Sequence, residues 1–298
     1  MIKYIFYFVI ILFISLYLFV RFKFRFWFTQ PVFHIYNLRY WIFPIGQIKN
    51  KLDNKNSIDY NNLVHTEKIS TISTEKKELF ASLIKFHYLD NKKEYYNPPK
   101  FAILDYLHNH SKPSFISLLY KYDTIKKFDN DIKTSKVIAA MSSRPLTCKI
   151  KNNSLIVGYV DFLCVHKNHR KKGIAQKIIY THAVDASKYM ENPIFLFKRE
   201  GELNFIVPLI AYNSYTFSTK KLSIPNINIK NTFVTLLLNG GNLELFFHYF
   251  KEIKDEILCV ISPCFENIKQ QVEHNLLFIV LILNNNNPVG CYIFRNPF

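Results

Sequence analysis

The segment 161–179, DFLCVHKNHRKKGIAQKII, joins two halves that cannot share one kind of secondary structure. Phe162-Leu163-Cys164-Val165 is an unbroken apolar run of strand type. It passes at once into His166, Lys167, His169, Arg170, Lys171 and Lys172, with no acid among them. KGIAQKIIYTHAVDASKY (172–189) then reads as a helix. A helix that starts this soon after a strand offers backbone N–H groups with no intrahelical partner, and its dipole adds partial positive charge there. Arg170, Lys171 and Lys172 raise the potential further, and Gly173 lets an anion approach the main chain. A diphosphate fits such a turn. On these residues alone, a solvated basic loop or a nucleic-acid patch fits it too.

Composition narrows the choice. Among 298 residues, 49% are hydrophobic, enough to bury at least one sizeable core. The formal charge of +17 favours acidic partners: anionic lipid, nucleic acid or a phosphorylated cofactor. With only 7 Gly, a dinucleotide-type Gly-rich loop is not the main device. Cysteines 148, 164, 259, 264 and 291 are odd in number and lack framework spacing, which predicts reduced thiols. Cys259 and Cys264 are too far apart for a CxxC knuckle. His108 and His110 lack spacing partners, so no metal site is expected.

The amino-terminal run Tyr4 to Val20, YIFYFVIILFISLYLFV, carries no charge and approaches the length of a bilayer-spanning helix. Lys3 precedes it, whereas Arg21, Lys23 and Arg25 follow. That bias predicts a single-pass anchor with the rest of the chain on the cytoplasmic side. A buried apolar helix is the plainer alternative.

Residues 49–75 are polar and read as a surface crossing. KKELFASLIKFHY (76–88) predicts a helix with Leu79, Leu83, Ile84 and Phe86 or His87 on one face. After the breaker Asn97-Pro98-Pro99, FAILDYLHNH begins a second helix. SFISLLYKY (114–122) and KVIAAMSS (136–143) read as two strands, then LTCKIK and LIVGYVDFLCV as a hairpin with a long central strand. Antiparallel strands followed by a helix that opens on a phosphate-binding turn describe an α+β acyl-CoA domain. Further on, LELFFHYFKEI (243–253) and LLFIVLILNNNNPVGCYIFRNP (276–297) echo the earlier helix and strand pair. A second copy of the unit would begin after about residue 230 and stop after its second strand.

Three motifs, in order, carry a family resemblance. Arg-x-x-Gly-x-Ala at 170–175 resembles the pyrophosphate loop of the GNAT superfamily, and DFLCVHKNHRKKGIAQ resembles the signature NFLCVHK-x-x-R-x-K-R-x-A-P of glycylpeptide N-tetradecanoyltransferases, the protein N-myristoyltransferases. FWFTQPV (26–32) is similar to that family's F-W-x-T-Q-P-V, and YYNPPKFAILDYL (95–107) to its F-D-Y-S-P-E-F-L-L-W-A-L. The resemblance spans roughly residues 25–215 and implies a GNAT-like α+β fold, a mixed, mainly antiparallel sheet flanked by helices. With the anchor read from the apolar run, which is unusual for that family, the chain divides into a transmembrane anchor (1–24), an N-myristoyltransferase-like domain (25–225) and an incomplete second repeat (226–298).

The resemblance also implies a mechanism. Backbone amides of Phe162 and Leu163 would form an oxyanion hole for the thioester carbonyl. Leu163, Val165, Arg170, Lys171, Lys172, Gly173, Ile174 and Ala175 would hold coenzyme A, and Arg25, Phe26 and Trp27 another part of it. Myristoyl-CoA or another acyl-CoA would be a co-substrate, with no tightly bound cofactor. Phe26 and Trp27 also suit a membrane interface. Cys164 and His166 receive no catalytic role.

The departures fall on the acceptor side. LDNKKEYY (89–96) has Lys92 and Lys93 where the family has acids. FLFKREGE (195–202) stands where it has Y-T-A-G, and IAYNSY (210–215) where it has R-Y-W-H-R. Within the signature itself, Asp161 stands where the family has Asn, Gly173 where it has Arg and Gln176 where it has Pro. The family uses its terminal carboxylate as the base, and here no base is assigned. Two expectations stay open: an acyltransferase acting on a protein or peptide amine, and a catalytically inactive relative that binds acyl-CoA or serves as a membrane-tethered interaction module. A nucleic-acid binder is the third and weakest class, and nucleic acid is not expected as a partner.

Overall fold

A computed structural model describes residues 2–43, 57–89, 96–127, 130–199, 205–215, 217–218 and 233–296. By contact the chain divides into two units, Met1–Asn54 with Arg199–Leu222, and Lys55–Lys198 with Ser223–Phe298.

The first unit begins with α1 (Ile2–Lys23), followed by the short helices α2 (Arg25–Thr29) and α3 (Leu38–Ile42). Apolar side chains from Tyr4 to Phe19 are exposed along α1. At 1.5 Å rise per residue such a helix reaches about 30 Å, the thickness of a hydrocarbon core. It is long and apolar enough to cross a membrane. After α2 the chain is held by a bridge between His34 and Ile206, with the Ile35 N–H donating to Phe205 and the Val207 N–H to Phe33 at 3.0 and 2.8 Å.

The second unit contains, in order, β1 (Val64–Lys68), α4 (Thr74–His87), α5 (Lys100–Asp105), β2 (Phe115–Lys127), β3 (Asn130–Ile150), β4 (Asn153–Val165), a 3-10 turn (Lys167–His169), α6 (Ile174–Ser187), β5 (Phe195–Phe197), β6 (Phe233–Leu237), α7 (Glu244–Glu256), β7 (Cys259–Ser262), α8 (Phe265–Glu273), β8 (Leu277–Asn284) and β9 (Asn287–Arg295). The main sheet runs β1-β2-β3-β4-β5 with β7 also beside β3. Every pairing in it is antiparallel except β4 with β5.

Alternation along β2 assigns the two faces. Ile116 and Leu118 join Phe80, Ile84, Ile103 and Phe162 in the core under α4 and α5. Leu119 joins Val64, Ala139, Met141 and Ile178 in the core under α6. Helix α4 starts where the Ser73 hydroxyl accepts the Lys76 N–H at 3.3 Å. Its buried face is Phe80, Ala81, Leu83 and Ile84, whereas Leu79 and Phe86 are exposed. The expected face is thus rotated toward Phe80: the ring at 80 with Leu83, Ile84 and His87 makes the wider i, i+3, i+4, i+7 stripe. Phe80 and Ile84 are fully buried, each worth about 1.5–3 kcal/mol relative to exposure.

The two strands expected at KVIAAMSS and LTCKIK are one, β3. It changes partner midway, from β2 up to Ser143 to β7 from Thr147. Pro145, which has no N–H to donate, falls in the gap between them.

The second sheet, β6-β8-β9, is antiparallel and packs with α7 and α8 around Leu243, Phe246, Ile279 and Leu281. With β7 set aside, β6-α7-α8-β8-β9 repeats the order β1-α4-α5-β2-β3. Helix α8 is held to α5 by polar contacts. Asn267 Nδ2 donates to the Asp105 and His108 carbonyls at 3.0 and 2.8 Å, and His274 Nδ1 lies 2.6 Å from Asp105 Oδ2.

Candidate functional site

The site begins at an interruption in the β3–β4 ladder. Met141 pairs with Leu163 and Ser143 with Val160, so Ser142 alone stands opposite both Asp161 and Phe162. The extra residue is a β-bulge on β4. Beyond it, the His166 N–H donates to the Ile138 carbonyl at 2.9 Å. Antiparallel alternation then directs Cys164 toward β3 and Leu163 and Val165 away from it. The Val165 carbonyl agrees, accepting Arg170 Nε from outside the sheet at 3.2 Å.

On that outer side β5 pairs with β4 only at Gly158, Tyr159 and Val160. Among the described strands none continues past Val160. The Leu163 amide therefore points to an edge that no described strand covers. The Phe162 amide lies in the bulge itself, where alternation breaks. The ring of Phe162 is buried among Phe80, Tyr88 and Tyr106.

The turn after β4 is set by backbone conformation. Lys171 (φ 61) and Gly173 (φ 72) are both left-handed. Gly173 caps α6 with ψ 7, a geometry that costs a residue with a Cβ about 1–2 kcal/mol. The first N–H groups of α6 at Ile174 and Ala175 have no partner within the helix. The cations divide into two roles. Arg170 is engaged by main chain, donating to the Val165 and His87 carbonyls, and Lys172 Nζ reaches the Asn168 carbonyl at 3.3 Å. Lys171 is exposed. Arg170 thus ties the turn to the end of α4, while Lys171 faces solvent.

Cys164 Sγ packs 3.7 Å from the Leu83 carbonyl, and burial pushes its thiol up to about 12, opposed only by Arg170. Such a thiol stays protonated at neutral pH. His166 Nδ1 accepts the Asn168 N–H at 3.3 Å. Burial first, then Lys136, His169, Lys167 and Arg170, lower its pKa. Both residues shape the turn. No three His, Cys, Asp or Glu side chains come together as a metal site among the described residues.

The α4–α5 side of the bulge holds residues that sequence reading missed as site residues. Asp161 Oδ2 lies 2.9 Å from Arg144 Nε, the two side chains 7% and 12% exposed. Arg144 sits over the Tyr106 and Tyr159 rings at 5.4 and 5.8 Å. Arg295 of β9 sits over Tyr106 at 4.4 Å and donates Nε to its hydroxyl at 2.7 Å. The only signal in the sequence was Asp161 standing where the motif has Asn.

The remaining expected contacts, Arg25, Phe26 and Trp27, form α2 in the other unit. Phe26 is buried and its carbonyl accepts Thr29 Oγ1 and Gln30 Nε2 at 2.8 and 3.2 Å. The Trp27 carbonyl lies 2.8 Å from His34 Nε2. Arg25 is exposed.

Among the described residues, a mixed, mainly antiparallel sheet flanked by helices, with one parallel pairing ending at a bulge before a basic turn, makes a GNAT-like fold. Residues 62–185, which contain the bulge and the turn, match the family model described as myristoyl-CoA:protein N-myristoyltransferase, N-terminal domain. Over that stretch, somewhat less than half of its length, the chain resembles the amino-terminal domain of the N-myristoyltransferases. Saccharomyces cerevisiae N-myristoyltransferase with bound myristoyl-CoA is similar at a TM-score of 0.59 and 14% identity, over 91% of this chain and 69% of that one. A second structure of that enzyme with myristoyl-CoA gives 0.55 and 13%, over 91% and 66%. A third, with myristoyl-CoA and inhibitors, gives 0.52 and 14%, over 91% and 67%. At these identities the likeness is one of fold, and the chain spans about two thirds of the length of those structures. No curated protein sequence matches it.

Proposed function

We propose that the protein transfers a fatty acyl group, tetradecanoyl first among candidates, from acyl-CoA to an amine acceptor such as the amino-terminal glycine of a protein or peptide. The observation that carries this reading is the succession of two features between residues 161 and 173: the β4 bulge with the outward Leu163 amide, and the left-handed glycine that opens α6. The thioester carbonyl oxygen would lie at the Phe162 and Leu163 amides. The pyrophosphate would lie at Lys171, Gly173, Ile174 and Ala175, with Val165 beside it and the charges of Arg170 and Lys172 behind it. Donors aimed at a developing oxyanion are worth about 2.7–4 kcal/mol each in transition-state stabilisation. Arg25, Phe26 and Trp27 are assigned to another part of the acyl-CoA contact.

Residues 1–24 act as a single-pass anchor, with 25–225 as the acyltransferase domain on the cytoplasmic side and 226–298 as a partial second repeat. The uncharged run Tyr4 to Val20 within α1, followed by Arg21, Lys23 and Arg25, supports the anchor. The repeated order of elements supports the division. Alternatively, the chain binds acyl-CoA without transferring it. Its favouring observation is Lys92 and Lys93 at the acceptor-side positions where the resemblance has acids.

Full-length protein in detergent micelles, titrated with decanoyl-, tetradecanoyl- and hexadecanoyl-CoA and then given a glycine-initiated peptide, tests the reading. Saturable binding with release of coenzyme A thiol is expected. Binding without release selects the non-transferring relative, and failure to bind any thioester overturns both.

A further inference from the structure

The bulge has two faces, and only one belongs to coenzyme A. Leu163 and Val165 pack with α6, whose first turn carries the basic loop. Asp161 is on the other side, with Tyr106 and Arg144, where Phe162 enters the α4–α5 core. A molecule that met the thioester from the α4–α5 side would meet the Asp161 carboxylate.

That carboxylate is unusual in three respects. It is buried, its side chain 7% exposed, one residue from the amides assigned to the oxyanion. Its Oδ2 is held by Arg144 Nε at 2.9 Å in a buried ion pair. The hydroxyl of Ser142, the residue opposite the bulge, is buried without a hydrogen-bond partner among the described residues. Buried polar atoms are nearly always satisfied, so the Ser142 hydroxyl beside this carboxylate marks a place where a polar ligand fits.

The charges facing Asp161 come from every element around it. Arg144 lies on β3 and Arg295 on β9. Tyr106 follows α5, Tyr96 precedes it, and His110 lies near Arg144. Burial raises the Asp161 carboxyl to about 6, against the opposing pull of Arg144 and Arg295. It is therefore mostly ionised at neutral pH and still basic enough to hold a proton. Two guanidinium groups near one carboxylate leave excess positive charge, which lowers the pKa of an ammonium brought alongside.

We infer that the Asp161 carboxylate is the general base of the transfer, taking a proton from the acceptor amine. The inference rests on the acyltransferase reading. An acceptor arriving as R–NH3+ gives one proton to the Asp161 carboxylate. The resulting amine attacks the thioester carbon, and a C–N bond forms as the C–S bond breaks. The remaining proton lost from nitrogen goes to the departing sulfur, releasing coenzyme A thiol, and Asp161 returns its own proton to solvent.

The test uses full-length protein in micelles, tetradecanoyl-CoA and a glycine-initiated peptide. It follows kcat/KM from pH 5 to 8 for wild type, Asp161→Asn and Asp161→Glu. Asn stands at this position in the motif that the chain resembles, so the amide should be accommodated. Wild type should lose activity about tenfold per pH unit below about 6. Asp161→Asn should bind tetradecanoyl-CoA within twofold of wild type, transfer at least about a hundredfold more slowly, and lack the acid limb. Asp161→Glu should recover part of the rate with the limb displaced. Asp161→Asn transferring within threefold of wild type along the same pH curve overturns the base and leaves the acyltransferase reading standing. A wild type that transfers to no amine overturns both. Should Asp161→Asn fail to fold, a flat wild-type profile through pH 6 overturns the assignment by itself.

Discussion

His182 of α6 and Ser117 of β2 meet at 2.7 Å in the interior between helix and sheet. The other ring nitrogen lies 2.8 Å from Ser143 Oγ, and Ser117 Oγ lies 2.7 Å from Thr66 Oγ1. One imidazole thus joins three strands beneath the helix that carries the basic turn. A neutral ring, with one donor and one acceptor, satisfies both hydroxyls. Burial lowers its pKa to about 4, from an ordinary value near 6.5. The folded state therefore binds fewer protons here than the unfolded one. Stability supported by the neutral ring is complete above about pH 6.5 and is lost as pH falls toward 4. His182→Leu should cost about 1–3 kcal/mol at pH 7.5, because two buried hydroxyls lose their partner. Urea midpoints should show the cost shrinking toward pH 5.

Gly158 tests where the edge of β4 opens. A Cβ placed there would come within 2.8 Å of Phe195 Cδ1 and 2.9 Å of Cε1, on the strand that β4 pairs with. Gly158→Ala should destabilise by about 1–3 kcal/mol through overpacking and weaken tetradecanoyl-CoA binding, since β5 borders the open edge. Gly290→Ala is the control. Its Cβ would meet Ile282 Cδ1 at an ordinary 3.6 Å, and thermal melts should place it within about 0.5 kcal/mol of wild type.

The turn before α6 should trade stability against binding. Lys171 holds a left-handed conformation that glycine adopts without strain. Lys171→Gly should raise stability by a few tenths to about 1 kcal/mol, while acyl-CoA affinity falls as one exposed cation is lost. That loss should shrink with added salt. Gly173→Ala should lose on both counts, although its Cβ would have open space, with Gln176 Oε1 nearest at 3.7 Å. Isothermal titration beside thermal melting separates the two effects.

Local signals were legible in the sequence, and long-range ones were not. The apolar run through Val165 ends where β4 ends, and the helix read at 172–189 occupies Ile174–Ser187. Both depend on neighbours a few residues apart. The joining of two short strands into β3 depends on β7, more than a hundred residues later, which supplies the second partner. The bulge left no trace, because Asp161 and Phe162 alternate like any strand pair until the register with Ser142 is known. Arg295 approaching Tyr106 is likewise a product of the second sheet. The contiguous turn was readable, whereas the cluster of Tyr106, Arg144, Asp161 and Arg295 is assembled from separate elements.

Asp161 should oppose His182 in the pH dependence of stability. An aspartate raised to about 6 from 3.8 binds more protons folded than unfolded, so its contribution favours folding below about pH 4 and is lost as pH rises to 6. His182, lowered to about 4, acts in the other direction over nearly the same range, and His110, also lowered to about 4 chiefly by burial, adds to it. Wild type should therefore lose less stability between pH 6.5 and 4.5 than its buried histidines alone would impose. Asp161→Asn removes the opposing group, so its urea midpoint should fall more steeply than wild type over that interval, by on the order of 2–3 kcal/mol. His182→Leu should flatten the curve instead. The double variant, with only His110 left among these three, should fall between the two singles. Equal slopes for wild type and Asp161→Asn would show that the Arg144 pair leaves this carboxyl at its ordinary value.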